Sequence, residues 1–426
     1  MINLLRAQTS SSILSLSDAL QQGEKNNLTL QQQIERINQA NSQLSVQKTA
    51  YFPKITAGGF LNYVSNIPEL NLPLGPTGSD PAEVKIYDVN ISLQQPLFTG
   101  FRTHNLIQAA QEELKTSETQ LNKARQQIAY QICHLYYMAQ LTQLRQKVLE
   151  SSLNRSLNNL RLSKNLLLAG QARPIDTLKV ANQCFTIETQ INKNAHDYDL
   201  ILLQLEHVLN LSPIEGVIPY TAQDVRLELE DLQTYVNMAL QNRSELIGVQ
   251  HQIQGQRYLK KSIQAGYYPQ LNAQASFHYL YPDVQILKQQ WTDLYIIGIN
   301  LQWEPWNWGR RKHEVKQISY AINQLNTEQE KQIQSIHNEV KQAFKNLQSD
   351  RDQILLTRRL LAQEKDRFTI IQNQYVQGLA TTIDLNDAEI ALTAADLQLQ
   401  QTQIKWLKDQ AFLAFVTGKI NSQYQP

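Results

Sequence analysis

Asp384 and Asp387, three positions apart, are the two side chains of this sequence best placed to act together on a passing charge. On a helix they share one face, because residues three and four apart are neighbours there. Paired carboxylates on such a face attract cations and can line a constriction, as acidic rings do in cation-selective pores. A solvated helix face is the plainer reading of the same pair. Asp384 also follows Gly378 by the same interval that separates Asp176 from Gly170. Pro174 and Thr382 are then expected at the first helical position, with each aspartate at the third. There the helix dipole favours a carboxylate, and Thr381 with Asp384 approximates a capping box. Capping alone accounts for Asp176 and Asp384. It does not require Asp387, whose counterpart after the first glycine is Lys179.

Other chemistries find no footing. The 8 histidines lack zinc-ligand spacing, and there is neither a phosphate-cradling glycine loop nor a nucleophile elbow, so no metal, cofactor or catalytic seat is expected. Basic and acidic residues nearly cancel, 39 against 38, without a long block of either sign, which argues against nucleic acid as a partner. Mean hydropathy is −0.42. No apolar run approaches the roughly 20 residues of a spanning helix, so any membrane crossing must use strands. The segment Met1 to Leu16 lacks the apolar core of a secretory signal, which leaves open whether a signal was removed before this numbering; export is compatible with the sequence but not shown by it. Cys133 and Cys184 fall on segments expected to be antiparallel helices, roughly 40 Å apart and too distant for a disulfide.

The elements that carry these residues repeat. Tyr51-Phe52-Pro53 recurs as Tyr267-Tyr268-Pro269, and Leu93-Gln94-Gln95-Pro96-Leu97-Phe98-Thr99-Gly100 recurs, with one insertion, as Leu301 to Gly309. Gly170 to Asp176 recurs as Gly378 to Asp384. Repeat 1 is assigned to 1–213 and repeat 2 to 214–426, intertwined as one structural unit. Around the proline landmarks lie stretches of about ten residues with period-two patterning, long enough to cross a bilayer as strands. They are placed at 53–64, 87–97, 269–281 and 294–303. Tyr295, Ile297, Ile299, Leu301 and Trp303 share one face, and Leu271, Ala273, Ala275, Phe277 and Tyr279 oppose Asn272, Gln274, Ser276 and His278. Aromatic residues gather at the strand ends, with Tyr51, Phe52, Phe98, Tyr267, Tyr268, Trp303, Trp306 and Trp308 at one and Tyr63, Tyr279, Tyr281 and Trp291 at the other, as interfacial girdles do. A soluble sandwich with an aromatic core is the alternative for the strands alone.

Neither glycine nor proline occurs between Gly100 and Gly170 or between Gly309 and Gly378. Helices are expected over 101–169 and 310–377, each reaching roughly 100 Å. Leu141, Leu144, Val148, Leu153, Leu157 and Leu160 suggest a coiled-coil seam on the first. The return helices, 174–212 and 382–417, are too short to retrace that length. A helix over 231–265 completes one of them and an N-terminal helix over 17–50 the other, which brings the termini together halfway along the shaft. Four strands cannot close a barrel, so a barrel must be shared between chains. The loop from Ser65 to Ile86, rich in proline and glycine, is expected on the outer side.

With these motifs, and with Leu16-Ser17-Asp18-Ala19-Leu20 and Asn26-Asn27 at the start, the sequence resembles the TolC family of outer-membrane channel-tunnels over nearly its whole length. The resemblance implies a mainly α fold of duplicated β-β-α-α units in a homotrimer. Its twelve-stranded barrel would lie in outer-membrane lipid and its helical tunnel in the periplasm. It also implies a passive duct docked on a periplasmic adaptor and an inner-membrane pump, in efflux or type I secretion. Asp384 and Asp387 match the acidic rings of the periplasmic entrance. Gly170, Gln171, Ala172, Gly378, Leu379 and Ala380 match the tips on which the adaptor docks, although a helix C-cap glycine needs no such role. Tyr375 and Asp176 match an entrance latch, but Ala380 stands where that latch has an arginine. A soluble coiled-coil scaffold would explain the helices without the aromatic-bounded strands, and an enzyme would need a polar cluster the sequence lacks.

Overall fold

The computed structural model describes residues 13–64, 84–211, 213–221, 227–281 and 290–421. The first residues of the chain, 1–12, and most of the loop expected on the outer side, 65–83, lie outside them. The elements run β1 (Ile13–Leu14), α1 (Leu16–Asn26), α2 (Leu28–Thr49), β2 (Lys54–Val64), β3 (Val84–Phe98), α3 (Arg102–Leu168), α4 (Pro174–Leu209) and β4 (Gly216–Val217). They continue with α5 (Leu232–Asn242), α6 (Ser244–Gln264), β5 (Gln270–Tyr281), β6 (Thr292–Gln302), α7 (Arg310–Val376) and α8 (Thr382–Val416). Two compact units share these elements: Met1–Arg36, Glu118–Gly248 and Gln329–Pro426 form one, and Ile37–Ser117 with Val249–Glu328 the other.

The second unit holds an antiparallel sheet in the order β2-β3-β5-β6. Both hairpins have the same register, Ile55 opposite Leu93 in the first copy and Leu271 opposite Leu301 in the second. Alternation then sorts the sheet into two faces. One carries Ile55, Leu61, Val89, Ile91, Ile297, Ile299 and Leu301, all well exposed, Ile297 to 85%. The opposite face carries Asp88, Asn90, Ser92, Gln274, Ser276 and His278. An exposed apolar face this continuous has no place in water and calls for lipid. The strand β3 outruns its expected span at both ends, and Pro96, which has no N–H to give, is accommodated beside a register shift before Phe98. Trp303 falls just beyond β6, where its indole N–H donates to Tyr267 O at 3.1 Å.

Each strand enters its long helix through two successive left-handed residues, Gly100 and Phe101 in one copy, Trp308 and Gly309 in the other. Pairing Gly100 with Gly309 is therefore corrected by one position: Gly100 matches Trp308, and Arg102 and Arg310 both open helices of 67 residues. Because both turn positions are left-handed, the glycine can stand at either one while an aromatic residue takes the other.

The first unit is helical. One core gathers Ile132, Cys133, Tyr136, Leu205 and Leu209 and takes in both Leu14 and Ile420, so the two described ends of the chain share it. Beside it Trp406, Val340, Leu347 and Ile354 form a second core. Cys133 and Cys184 are buried free thiols, and burial pushes the Cys133 thiol up to about 12.

Three sequence expectations need correction here. The N-terminal helix breaks at Asn27, whose side chain caps α2 through the Thr29 and Leu30 amides and donates to Val208 O at 2.7 Å. The 231–265 helix breaks at Arg243, whose guanidinium donates to Val416 O at 3.2 Å. Each break thus caps the end of a return helix, and α4 stops at Leu209 with Asn210 left-handed. The α3 seam keeps Leu141, Leu144 and Val148 packed as expected and shifts beyond them. Leu149, Ser152, Ser156, Asn159 and Ser163 are buried, while Leu157 is exposed. These small side chains let helices approach closely; Ser152 donates to Glu389 Oε1 at 2.9 Å, and Ser163 Oγ lies 3.2 Å from Thr177 Oγ1 of α4.

Candidate functional site

The residues singled out by sequence converge on two hairpin turns, α3 to α4 and α7 to α8. Both turns close as Schellman motifs. The Gln171 amide donates to Leu166 O at 2.8 Å and that of Leu379 to Gln374 O at 2.9 Å, around Gly170 and Gly378 with φ of 73° and 75°. Nothing lies within 4 Å of a Cβ built on either glycine, so backbone conformation alone selects it. Leu168 and Leu379 project at 87% and 75% exposure, which makes the turns apolar at their ends.

Pro174 and Thr382 open α4 and α8, as the sequence predicts. Asp384 accepts the Thr381 amide at 2.9 Å and the Thr381 hydroxyl at 2.6 Å, while the Asp384 amide returns a bond to that hydroxyl at 3.2 Å. The hydroxyl beside it holds the Asp384 carboxyl below the usual range. The first copy closes differently. An arginine side chain has no acceptor, so Arg173 forms only half a box: its amide reaches Asp176 at 3.4 Å and its Nε at 3.0 Å. That guanidinium holds the Asp176 carboxyl low. Asp384 and Asp387 are both exposed.

Tyr375 is buried, with Oη 3.2 Å from Thr382 Oγ1, so within one chain it is not brought to Asp176, which Arg173 holds. Around Tyr375 pack Phe368, Leu385, Ala388 and Leu392, with Ala380 against the same cluster. Ala380 is thus an apolar contact where the resemblance has an arginine.

Sequence reasoning missed the charge that binds α3 to α8. Glu389, 1% exposed, accepts Arg155 Nε at 3.1 and 2.8 Å through its two oxygens and the Ser152 hydroxyl at 2.9 Å. Arg155 Nη2 donates to Thr393 Oγ1 at 3.1 Å, and its guanidinium lies 6.0 Å above the Phe368 ring of α7. The trace of this charge in the sequence is Ser152, Ser156, Asn159 and Ser163 at helical spacing on α3, of which Ser152 meets Glu389. Farther along α8, Lys405 pairs with Asp350 and, at 2.8 Å, with Asp409. Asp350 is fully buried; burial and its hydrogen bond with Asp409 push it up to about 6.

On the polar face of the sheet, Asp88 Oδ2 lies 2.9 Å from His278 Nδ1, and His278 Nε2 lies 3.1 Å from Ser276 Oγ. The chain of contacts resembles a nucleophile relay, but β3 and β5 are inner strands whose amides are committed to the ladder, which leaves no donor pair for an oxyanion. Among the described residues no group of three or more His, Cys, Asp or Glu could hold a metal ion.

A model of outer membrane efflux proteins matches residues 19–211 and 235–419. The chain is 21% identical to the outer membrane efflux protein BepC of Brucella suis, over 97% of this chain and 89% of BepC. It is 19% identical to the alkaline protease secretion protein AprF of Pseudomonas aeruginosa, over 81% of this chain and 73% of AprF. Its fold superposes on the outer membrane protein VceC of Vibrio cholerae with a TM-score of 0.79 at 16% identity, covering 95% and 96% of the two chains.

Proposed function

Because the chain belongs to the outer membrane efflux protein family, we propose that three copies close one twelve-stranded barrel and dock on a periplasmic adaptor and an inner-membrane pump. The family and its fold are those of outer-membrane transport channels, with the strands in the membrane and the helices in the periplasm. The observation that carries the assembly is the four-stranded sheet, with its exposed apolar face and β2 and β6 as unpaired edges. An open edge of this length invites another strand. Four strands are half the smallest outer-membrane barrel, whereas twelve leave an aqueous lumen.

The apolar tips around Gly170, Gln171, Ala172, Gly378, Leu379 and Ala380 serve as the adaptor-docking surface. Asp384 and Asp387, exposed on one face of α8, form the acidic constriction at the entrance. The closed entrance is held by the Arg155–Glu389 tie in place of the arginine that Ala380 replaces. For the solute to pass, the two hairpins of a chain must part, and that tie spans them. Asp176 and Tyr375 contribute as an entrance latch by fixing the two turns locally.

Electron microscopy of the detergent-solubilised protein tests the assembly. Three-fold hollow particles are expected, and a monomer that stays soluble without detergent would refute it.

A further inference from the structure

A recess of about 370 Å³ opens where the strand ends meet the helix starts. It is lined by Arg102 of α3, Arg310, Arg311 and Glu314 of α7, Gln270 and Gln302 at the ends of β5 and β6, Tyr268 and Glu304. Gln270 and Gln302 are register partners on the polar face of the sheet, in line with Gln274 and Ser276, so the recess faces the side turned away from lipid.

Its three guanidiniums are not equivalent. Arg311, side chain 8% exposed, is anchored by Glu304 O at 3.2 Å and Glu304 Oε2 at 3.1 Å and lies 4.8 Å over the Tyr267 ring. Arg310 is held loosely, 3.6 Å from Glu304 and 3.8 Å from Glu314. Arg102 is its counterpart in the first copy. The positions matching Glu304 and Glu314 there are Pro96 and Leu106, so the first copy has the arginine without either carboxylate. Arg102 pairs with no described carboxylate, and the recess has three fixed positive charges against two negative.

From this geometry we infer that the recess is a lumenal binding site for the anionic group of an exported solute, a phosphate, sulfonate or carboxylate, with Arg102 and Arg310 as its jaws and Arg311 as its fixed wall. Guanidinium forks match such oxyanions in pairs, and the exposed Tyr268 ring offers a surface for the organic body of the solute. The inference names a substrate class for the duct and rests on the polar face being the lumen.

Binding of radiolabelled pyrophosphate to the detergent-solubilised full-length protein at low salt tests the site without requiring conduction. One saturable site per chain is expected. Arg102→Gln weakens it about tenfold, the loss of one charged hydrogen-bonding partner. Leu106→Glu, which writes the second copy's carboxylate into the first, abolishes it, while Arg102→Lys, which keeps the charge but not the fork, weakens it less than Arg102→Gln does. Wild-type protein without saturable binding, or an affinity indifferent to both Arg102→Gln and Leu106→Glu, overturns the inference. Planar-bilayer conductance of the same preparation judges the duct separately: conducting channels with no pyrophosphate site leave the duct standing, and a folded protein that binds without conducting removes the lumenal assignment.

Discussion

The first and second copies of the unit use the same backbone at their turns and reach opposite electrostatic results. In the first, Asp176 is matched by Arg173 and followed by Lys179; in the second, Asp384 is satisfied by the neutral Thr381 and followed by Asp387. Stability does not distinguish them, since each carboxylate occupies the third helical position. The difference shows that the cap and the charge are separable: the fold requires an acceptor there, and what surrounds it is left free for function. Other differences point the same way. Arg155 and Glu389 tie α3 to α8, but the matching residues, Gln363 and Ala181, cannot make the reciprocal tie. Copy one has Thr142 where copy two buries Asp350.

The harshest way to break this asymmetry is Arg155→Ala, which leaves Glu389 buried without its cation and should cost about 3–5 kcal/mol. Thermal melting of the detergent-solubilised variant measures it, and a variant as stable as the parent would deny the tie any structural weight. Next come the two helix breaks. Arg243→Ala removes a buried charged donor and should lower stability by about 1.5–3 kcal/mol, whereas Asn27→Ala, loss of a neutral cap, costs about 1 kcal/mol.

A smaller effect distinguishes the copies by pH. A carboxyl pushed up to about 6 binds its proton more tightly in the folded protein than in the unfolded chain. The folded state is therefore the more protonated one between about pH 4 and that value, and stability falls as pH rises through this window, then levels off. The melting temperature of the parent relative to that of Asp350→Asn should decline across it, a difference that sets aside carboxyls held low, such as Asp384, whose contribution has the opposite sign. The equivalent Thr142→Val should leave that decline unchanged.

The mildest test changes selectivity alone. Asp384→Asn with Asp387→Asn should weaken cation preference in planar bilayers, and Lys179→Asp, which makes the first turn imitate the second, should strengthen it. Reversal potentials that ignore both substitutions would place these residues away from the narrowest point.

Wherever local chemistry dictated structure, the sequence was legible. Period-two alternation marked all four strands because one face meets lipid, and the Gly-x5-Asp spacing marked both turns because glycine and aspartate each solve a backbone problem there. Tertiary bonds were harder to see. The breaks at Asn27 and Arg243 answer to Val208 O and Val416 O, each more than 170 positions away, and no local propensity announces them. The α3 seam holds at Leu141, Leu144 and Val148 but was misjudged by one residue beyond them, where Leu153, Leu157 and Leu160 carry a heptad signal and the buried face is instead Ser152, Ser156, Asn159 and Ser163. Asp384 and Asp387 could be found from spacing. The Arg155–Glu389 tie could not, since its halves lie 234 positions apart.

The β3–β5 seam joins the two hairpins, with Leu93 opposite Ala275 and Ile91 opposite Phe277. Because both hairpins share one register, the same relation carried onto the free edges sets Leu301 of β6 opposite Gly59, and Ile299 opposite Leu61, in the β2 of a second molecule. A barrel closed this way has approximate six-fold symmetry, with seams inside a chain alternating with seams between chains. In the proposed barrel each molecule would contain a sample of its own subunit interface, so that a substitution which weakens the inner seam should also weaken assembly.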